Sequence, residues 1–450
     1  MAVLNKNRRK VRGTLITWIW LVLTTLPIVA CFSTGQSLLD NPLLERLQRP
    51  AGLIAYVGVD GNIYSINQDG ENLQAVTTDA HLSPDSDSLT LQHRYPAWSP
   101  DGESLAYVAV TGTRGADQSA RLYIASPDGR NTSEAFLSQA EFPFYLYWSP
   151  DSQWVSFLTS TGNPEALSLQ RVSKDGGKAQ ELDIGQPIYW VWSPDSLSIL
   201  IHTGGAARTR PQAELAFLRL SSDVKKDKLD LRPTFFQAPA WSPNGDFLLL
   251  AIETAGGEDV LLMTNHVGMM EREIVRFQDK IAFGWSPDGT QVAYLIGDSP
   301  DNNQNTLVIA NPEQPEKVVE ITEEFVAAFF WAPDSRSLAY FVPVVITSGD
   351  ETVSLGQPET KVYLSLRALD VSKGKSVELA VFKPPHQLLE ILPFFDQYQH
   401  SVTIWSPDSR NIVFAGSLAS GETGIFVVKA SGEDQANRIA DGVLAYWSWK

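Results

Sequence analysis

A Trp-Ser-Pro-Asp tetrad, or a near copy of it, begins at Trp98, Trp148, Trp192, Trp241, Trp285, Trp331 and Trp405, and Trp447-Ser448 starts an eighth near the C-terminus. Successive tryptophans lie 50, 44, 49, 44, 46, 74 and 42 residues apart. A period of that length holds one four-stranded unit, and its unevenness argues against a helical solenoid. Each copy is a candidate propeller blade.

Within each period an apolar run ends at the Trp, the tetrad turns, and a second apolar run follows at once, as in Leu105-Ala-Tyr-Val108. Pro presets φ near −65°, Asp can bind the backbone ahead of it, and Gly102, Gly245 or Gly289 can supply the positive φ that closes the turn. The tetrad is thus turn chemistry joining strands A and B. A third run begins near Ile63, Leu122, Leu167, Leu215, Val260, Leu307, Val362 and Ile425, often leading into a Gly-containing hairpin such as Asp69-Gly70.

Residues 52–77 supply strands B, C and D with no Trp-bearing strand before them, and residues 442–449 supply a strand A with nothing after it. Joining the two completes a unit and removes exposed strand edges. The expectation is an all-β, eight-bladed propeller of four-stranded antiparallel blades, closed by the terminal strands; seven blades is the alternative. The Trp-Ser-Pro-Asp-Gly turn, the B strand Leu105–Val108 and the run Ile63–Gly70 resemble the TolB-type (WD40-like) β-propeller repeat over about 400 residues. That resemblance implies an architecture rather than an activity, because propellers of this type serve as scaffolds, as peptidase gating domains and as enzymes.

Lys6, Arg8, Arg9, Lys10 and Arg12 precede an uncharged, mainly apolar stretch from Thr14 to Ala30, the pattern of an export signal. Cys31 is the single cysteine of the 450 residues and follows Ile28-Val29-Ala30, which resembles the lipobox of bacterial lipoproteins. The expected domains are a signal peptide, 1–30; a lipidated Cys31 and tether, 31–50; and the propeller, 51–450. An uncleaved anchor helix is the alternative. Both readings give a membrane-anchored chain with its propeller outside the cytoplasm, periplasmic or on the cell surface. The formal charge of −17 argues against nucleic acid as a partner.

In such a meander the A-to-B and C-to-D turns emerge on one face, and the B-to-C and D-to-A connections on the other. Long, irregular connections are expected at 78–94, 111–120, 204–213, 297–305, 343–360 and 384–400, all on the second face. Elaboration concentrated on one face of a rigid scaffold points to binding there. Candidate binding residues are His93, Arg94 and Tyr95; Tyr145 and Tyr189, which like Tyr95 stand three places before a repeat Trp; and His386, Phe394, Phe395 and His400 of the 384–400 insertion. That insertion is expected to form a short helix that covers the channel mouth or docks a partner, with burial against its own blade as the alternative.

There is no Gly-x-Ser-x-Gly elbow, and no second domain that could house a triad is expected. The six histidines show no metal-binding spacing, and no cofactor or metal is expected. The resulting expectation is a non-catalytic scaffold that binds a protein or peptide through the loop face. A small-ligand binder, or a metal-dependent lyase or hydrolase with its site at the channel mouth, is the alternative.

Overall fold

Apolar runs broken every few residues by Pro, Gly and Asp fold into short antiparallel strands, and the chain is nearly all β. The computed structural model describes residues 52–83, 88–113, 116–139, 141–161, 166–235, 237–299, 302–322, 325–347 and 360–450, within a compact unit spanning Pro50–Lys450. The expected signal segment, Cys31 and the tether lie outside the described residues. Among those described, no helix is long and apolar enough to cross a membrane.

Four sheets hold four strands each, with consecutive strands as neighbours. In one of them the last strand, Gly442–Trp447, pairs with Ile54–Gly58 from the start of the unit, setting Ile54 opposite Trp447 and Tyr56 opposite Ala445. Two further sheets hold seven strands. One arises because Met270–Trp285 pairs through its first half with Asp259–Asn265 and through its second half with Val292–Ser299, with a register shift between Gln278 and Ile281. In the other, Lys375–Lys383 touches Asn411–Leu418 only at Phe382 and Lys383.

Inner strands are buried on both faces, as in Ile188–Trp192, because each sheet packs between two neighbours. Outer strands face water, and Lys225–Lys228, sequence KKDK, is wholly exposed. Charge on such an edge resists pairing with another chain. Three of the repeat tryptophans also tie neighbouring repeats. The Trp148 indole N–H donates to the Ala97 carbonyl (3.0 Å), Trp405 to Phe330 (2.9 Å) and Trp98 to Tyr446 (3.3 Å), each acceptor immediately preceding another repeat Trp. The last of these bonds joins the sheet of Trp98 to the sheet built from both ends of the unit.

The tetrad turns are built alike. In the first, Ser99 Oγ donates to Asp101 Oδ1 (2.5 Å) and accepts from the Ser104 amide (2.9 Å). The fifth position is left-handed throughout, held by Gly102, Gly245 and Gly289, and also by Ser152, Ser196, Ser335 and Ser409 with φ of 60 to 62°. Each of these serines accepts a hydrogen bond from the Asp amide of another tetrad turn: Asp101 to Ser152, Asp151 to Ser196, Asp288 to Ser335 and Asp334 to Ser409.

The described parts of three connections expected to be irregular are instead paired strand, with 114–115, 300–301 and 348–359 lying outside the described residues. Pairing continues outward to Thr113 opposite Ala116, Ser299 opposite Asn302, and Thr347 opposite Thr360. β-Branched and polar residues there can extend a ladder beyond the core, so length alone misread them as loops. Residues 204–213 do lack strand structure, and Arg208 pins them through ion pairs to Asp259 and to Glu253 (3.6 Å).

Candidate functional site

The insertion between Lys375–Lys383 and the Trp405 turn forms α1 (His386–Ile391), a 3₁₀ turn (Leu392–Phe394) and α2 (Phe395–Tyr398). Pro385 precedes α1 in an extended conformation and Pro393 sits in the 3₁₀ turn, which keeps the helices short. Ile391, Leu392 and Phe395 are buried, while Leu389 and Phe394 are exposed.

The polar residues of this segment carry its tightest attachments. The Gln397 side-chain amide donates to the Trp190 carbonyl (2.7 Å) and Tyr145 Oη (2.8 Å), and its Oε1 accepts from the Trp190 amide (2.9 Å). The Tyr145 hydroxyl donates to the Gln397 carbonyl (2.7 Å). Asp396 Oδ2 accepts from the Ala238 amide (2.8 Å), Gln399 Nε2 donates to the Phe283 carbonyl (3.0 Å), and the Phe395 ring lies 5.2 Å from Phe329. Tyr145, Trp190, Ala238, Phe283 and Phe329 belong to the inner segments of five successive repeats. The insertion therefore occupies the centre they surround rather than lying on its own sheet. At Gly284 a Cβ would come within 2.7 Å of Gln399 Oε1, so a larger residue there would displace that side chain.

Burial sets the electrostatics. It raises the Asp396 carboxyl to about 6, with the Ala238 and Gln397 amides opposing the shift. It lowers the His400 imidazole to about 4. His400 as a residue is only half-buried, yet its Nε2 is enclosed, with no hydrogen-bond partner among the described residues. The hydroxyls of Tyr145, Tyr189 and Tyr398 are raised well above the usual phenol range, chiefly by desolvation.

Two cavities flank the insertion and share Tyr95, Glu390 and Ile391 as a common wall. The larger, of about 410 Å³, is lined by the rings of Tyr95, Phe144, Tyr145, Tyr189, Phe394 and Tyr398. The smaller, of about 180 Å³, is lined by His93, Arg94, Tyr95 and His386 among others. Tyr95 (φ 57°) and Tyr145 (φ 49°) are left-handed at irregularities in the pairing of their strands, which turns their side chains out of the usual alternation.

Of the residues singled out in the sequence, His93, Arg94, Tyr95 and His386 face the smaller cavity, and Tyr95, Tyr145, Tyr189 and Phe394 the larger. Phe395 is buried against Phe329, and His400 stacks on Tyr147 at 6.3 Å. His93 is buried with Nε2 bonded to Asp79 (2.9 Å), and burial lowers its pKa against the pull of that carboxylate. His386 is exposed and pairs with Glu390 (3.1 Å). The sequence pointed to none of Asp396, Gln397, Tyr398, Glu390 or Phe144; the one available signal was three polar residues, Asp396, Gln397 and Gln399, inside an apolar insertion. Among the described residues, no group of three or more His, Cys, Asp or Glu could hold a metal ion.

No family model matches the chain, and no curated protein matches its sequence. Among solved structures it is similar to TolB from Acinetobacter baumannii, at 16% identity over 61% of this chain and 65% of that one with a TM-score of 0.36. It is also similar to an oligogalacturonate lyase in complex with manganese (13% identity, 84% of this chain and 96% of that one, TM-score 0.49). A third is the β-propeller domain of the Trilobed protease from Pyrococcus furiosus (12% identity, 78% of this chain and 98% of that one, TM-score 0.45). The chain thus spans just under two thirds of the length of that TolB. At these identities the likeness is one of fold.

Proposed function

We propose that the chain is a non-catalytic, extracytoplasmic β-propeller that binds a protein or peptide on its B-to-C/D-to-A face. The observation that carries this is the inserted segment 384–403. Its polar side chains lock it into the centre of the inner strands, and it leaves an aromatic cavity of about 410 Å³ beside it. Rigid rings, recessed and surrounded by longer connections, suit the anchor side chain of a partner. Eight blades are favoured over seven by counting Met270–Trp285 as the outer strand of one blade and the inner strand of the next, and the Trp405–Ile412 bridge as the inner edge of another.

Peptides selected from a random displayed library on the purified protein provide the test. Phe394→Ala should weaken their binding at least tenfold, while Leu197→Ser, at an exposed position beside a tetrad turn on the opposite face, should leave it unchanged. The reverse pattern would discard the face assignment. For the anchor, the basic start, the apolar stretch and Cys31 support lipidation at that cysteine after removal of residues 1–30. Cys31→Ala should then leave an unprocessed precursor, and an unchanged mature mass would refute lipidation.

A further inference from the structure

The larger cavity has a chemistry more specific than apolarity. Among the described residues its lining contains no Lys, Arg or His, and one acidic side chain, the exposed Glu390, stands in the wall shared with the smaller cavity. Half of the remaining lining residues are aromatic, among them Tyr95, Tyr145, Tyr189 and Tyr398, and a ring face attracts a cation within about 6 Å of its centroid. The rings are held in place. Tyr145 meets Trp190 edge-on at 4.9 Å and Tyr398 at 4.7 Å, and its hydroxyl is engaged by Gln397. Tyr189 stands at the same place in its repeat as Tyr95 and Tyr145 without positive φ, so the repeat itself does not impose the left-handed backbone of those two. Such non-glycine residues are strained and persist where the surroundings enforce them.

The neighbouring cations are already engaged or turned elsewhere. Arg210 donates to the Gln186 carbonyl at the rim (2.7 Å), Arg94 bonds Gln92 (3.0 Å) beside the smaller cavity, and His386 faces Glu390. An anion entering the larger cavity would meet the Glu390 carboxylate, whereas a guanidinium or ammonium would find that charge and the tyrosine rings in one lining. The chain's formal charge of −17 favours approach of the same sign of ligand.

We infer that this cavity receives an arginine or lysine side chain of a peptide partner, its stem against Leu158, Ile188 and Phe144 and its charged head between the tyrosines and Glu390. The inference rests on the peptide-binding role proposed for this face.

Blocked pentapeptides carrying a central Arg, Lys, citrulline or norleucine, titrated into the full chain by calorimetry, test it. Citrulline keeps the shape of Arg without its charge. The Arg and Lys peptides should bind roughly tenfold or more tightly than the citrulline peptide. Glu390→Gln, an exposed change that preserves volume, should reduce that preference severalfold, and added salt should weaken it. Equal binding of the Arg and citrulline peptides, or an unchanged preference in Glu390→Gln, overturns the cation site. Tight binding of the norleucine peptide alone would do so while leaving the peptide-binding face intact. Failure of all four would count against both. Agmatine supplied alone distinguishes the source: binding as tight as the Arg peptide's would refute a peptide ligand in favour of a free cation.

Discussion

Asp396 and His400 lie four residues apart in the inserted segment, and burial moves them in opposite directions. Asp396 is raised from 3.8 to about 6, so the folded state holds its proton more tightly than the unfolded chain does. Its contribution is full below about pH 4 and is lost as pH rises through about 6. His400 is lowered from 6.5 to about 4, so its contribution is present above about pH 6.5 and is lost as pH falls through about 4. Each amounts to about 3 kcal/mol at roughly 1.4 kcal/mol per pH unit, and over pH 4 to 6 they nearly cancel. Asp396→Asn should therefore lose stability, relative to the parent, as pH is lowered from 6.5 to 4. His400→Asn should lose it as pH is raised from 4 to 6. Denaturant titrations at half-unit pH steps decide this, and two variants that both parallel the parent would refute it. Neither shift could be read from the sequence, because the Ala238 amide that meets Asp396 and the Tyr147 ring that meets His400 lie 158 and 253 positions away.

At the level of the element, the tetrad turn was legible because local chemistry dictates it: Ser, Pro and Asp satisfy the turn from within five residues. Its serine variants were harder to see. Ser196 takes φ 62°, for which glycine is the usual choice, because its hydroxyl accepts from the Asp151 amide at 3.0 Å. Substitution should separate the two effects. Ser196→Gly relieves the backbone but loses the bond, and should lie within about 1 kcal/mol of the parent. Ser196→Ala keeps the unfavourable φ and loses the bond, costing about 1–2 kcal/mol by thermal or urea denaturation. Equal stabilities for Ala and Gly would remove the backbone argument. The insertion was half legible. The spacing of Leu388, Ile391, Leu392 and Phe395 announces a helix with one apolar side, but not the wall it faces. Gln397 makes its bonds to Tyr145 and Trp190 across 252 and 207 positions. The hairpin arms were missed for a different reason: backbone pairing continues past the last core residue, where side-chain pattern no longer reports it.

For the whole molecule, closure was the most readable property, since a strand A without its unit and a unit without its strand A can only satisfy each other's edges. Trp447 sits in that seam, fully buried and opposite Ile54. Trp447→Ala should cost about 3–5 kcal/mol. It should also promote association by loosening the cover over Ile54–Gly58. Trp449→Ala, two residues on and only half-buried, should cost clearly less. Unfolding midpoints and light scattering compare the two, and equal effects would mean that the seam is not critical.

The inserted segment also orders events in time. The inner strands that surround it, from Tyr145 to Phe329, leave the ribosome before residues 385–403 exist, so during synthesis their apolar lining has nothing of its own to enclose. For that interval the nascent chain is an arch without its keystone, a state in which a chaperone or an early-bound ligand could stand in for the missing piece.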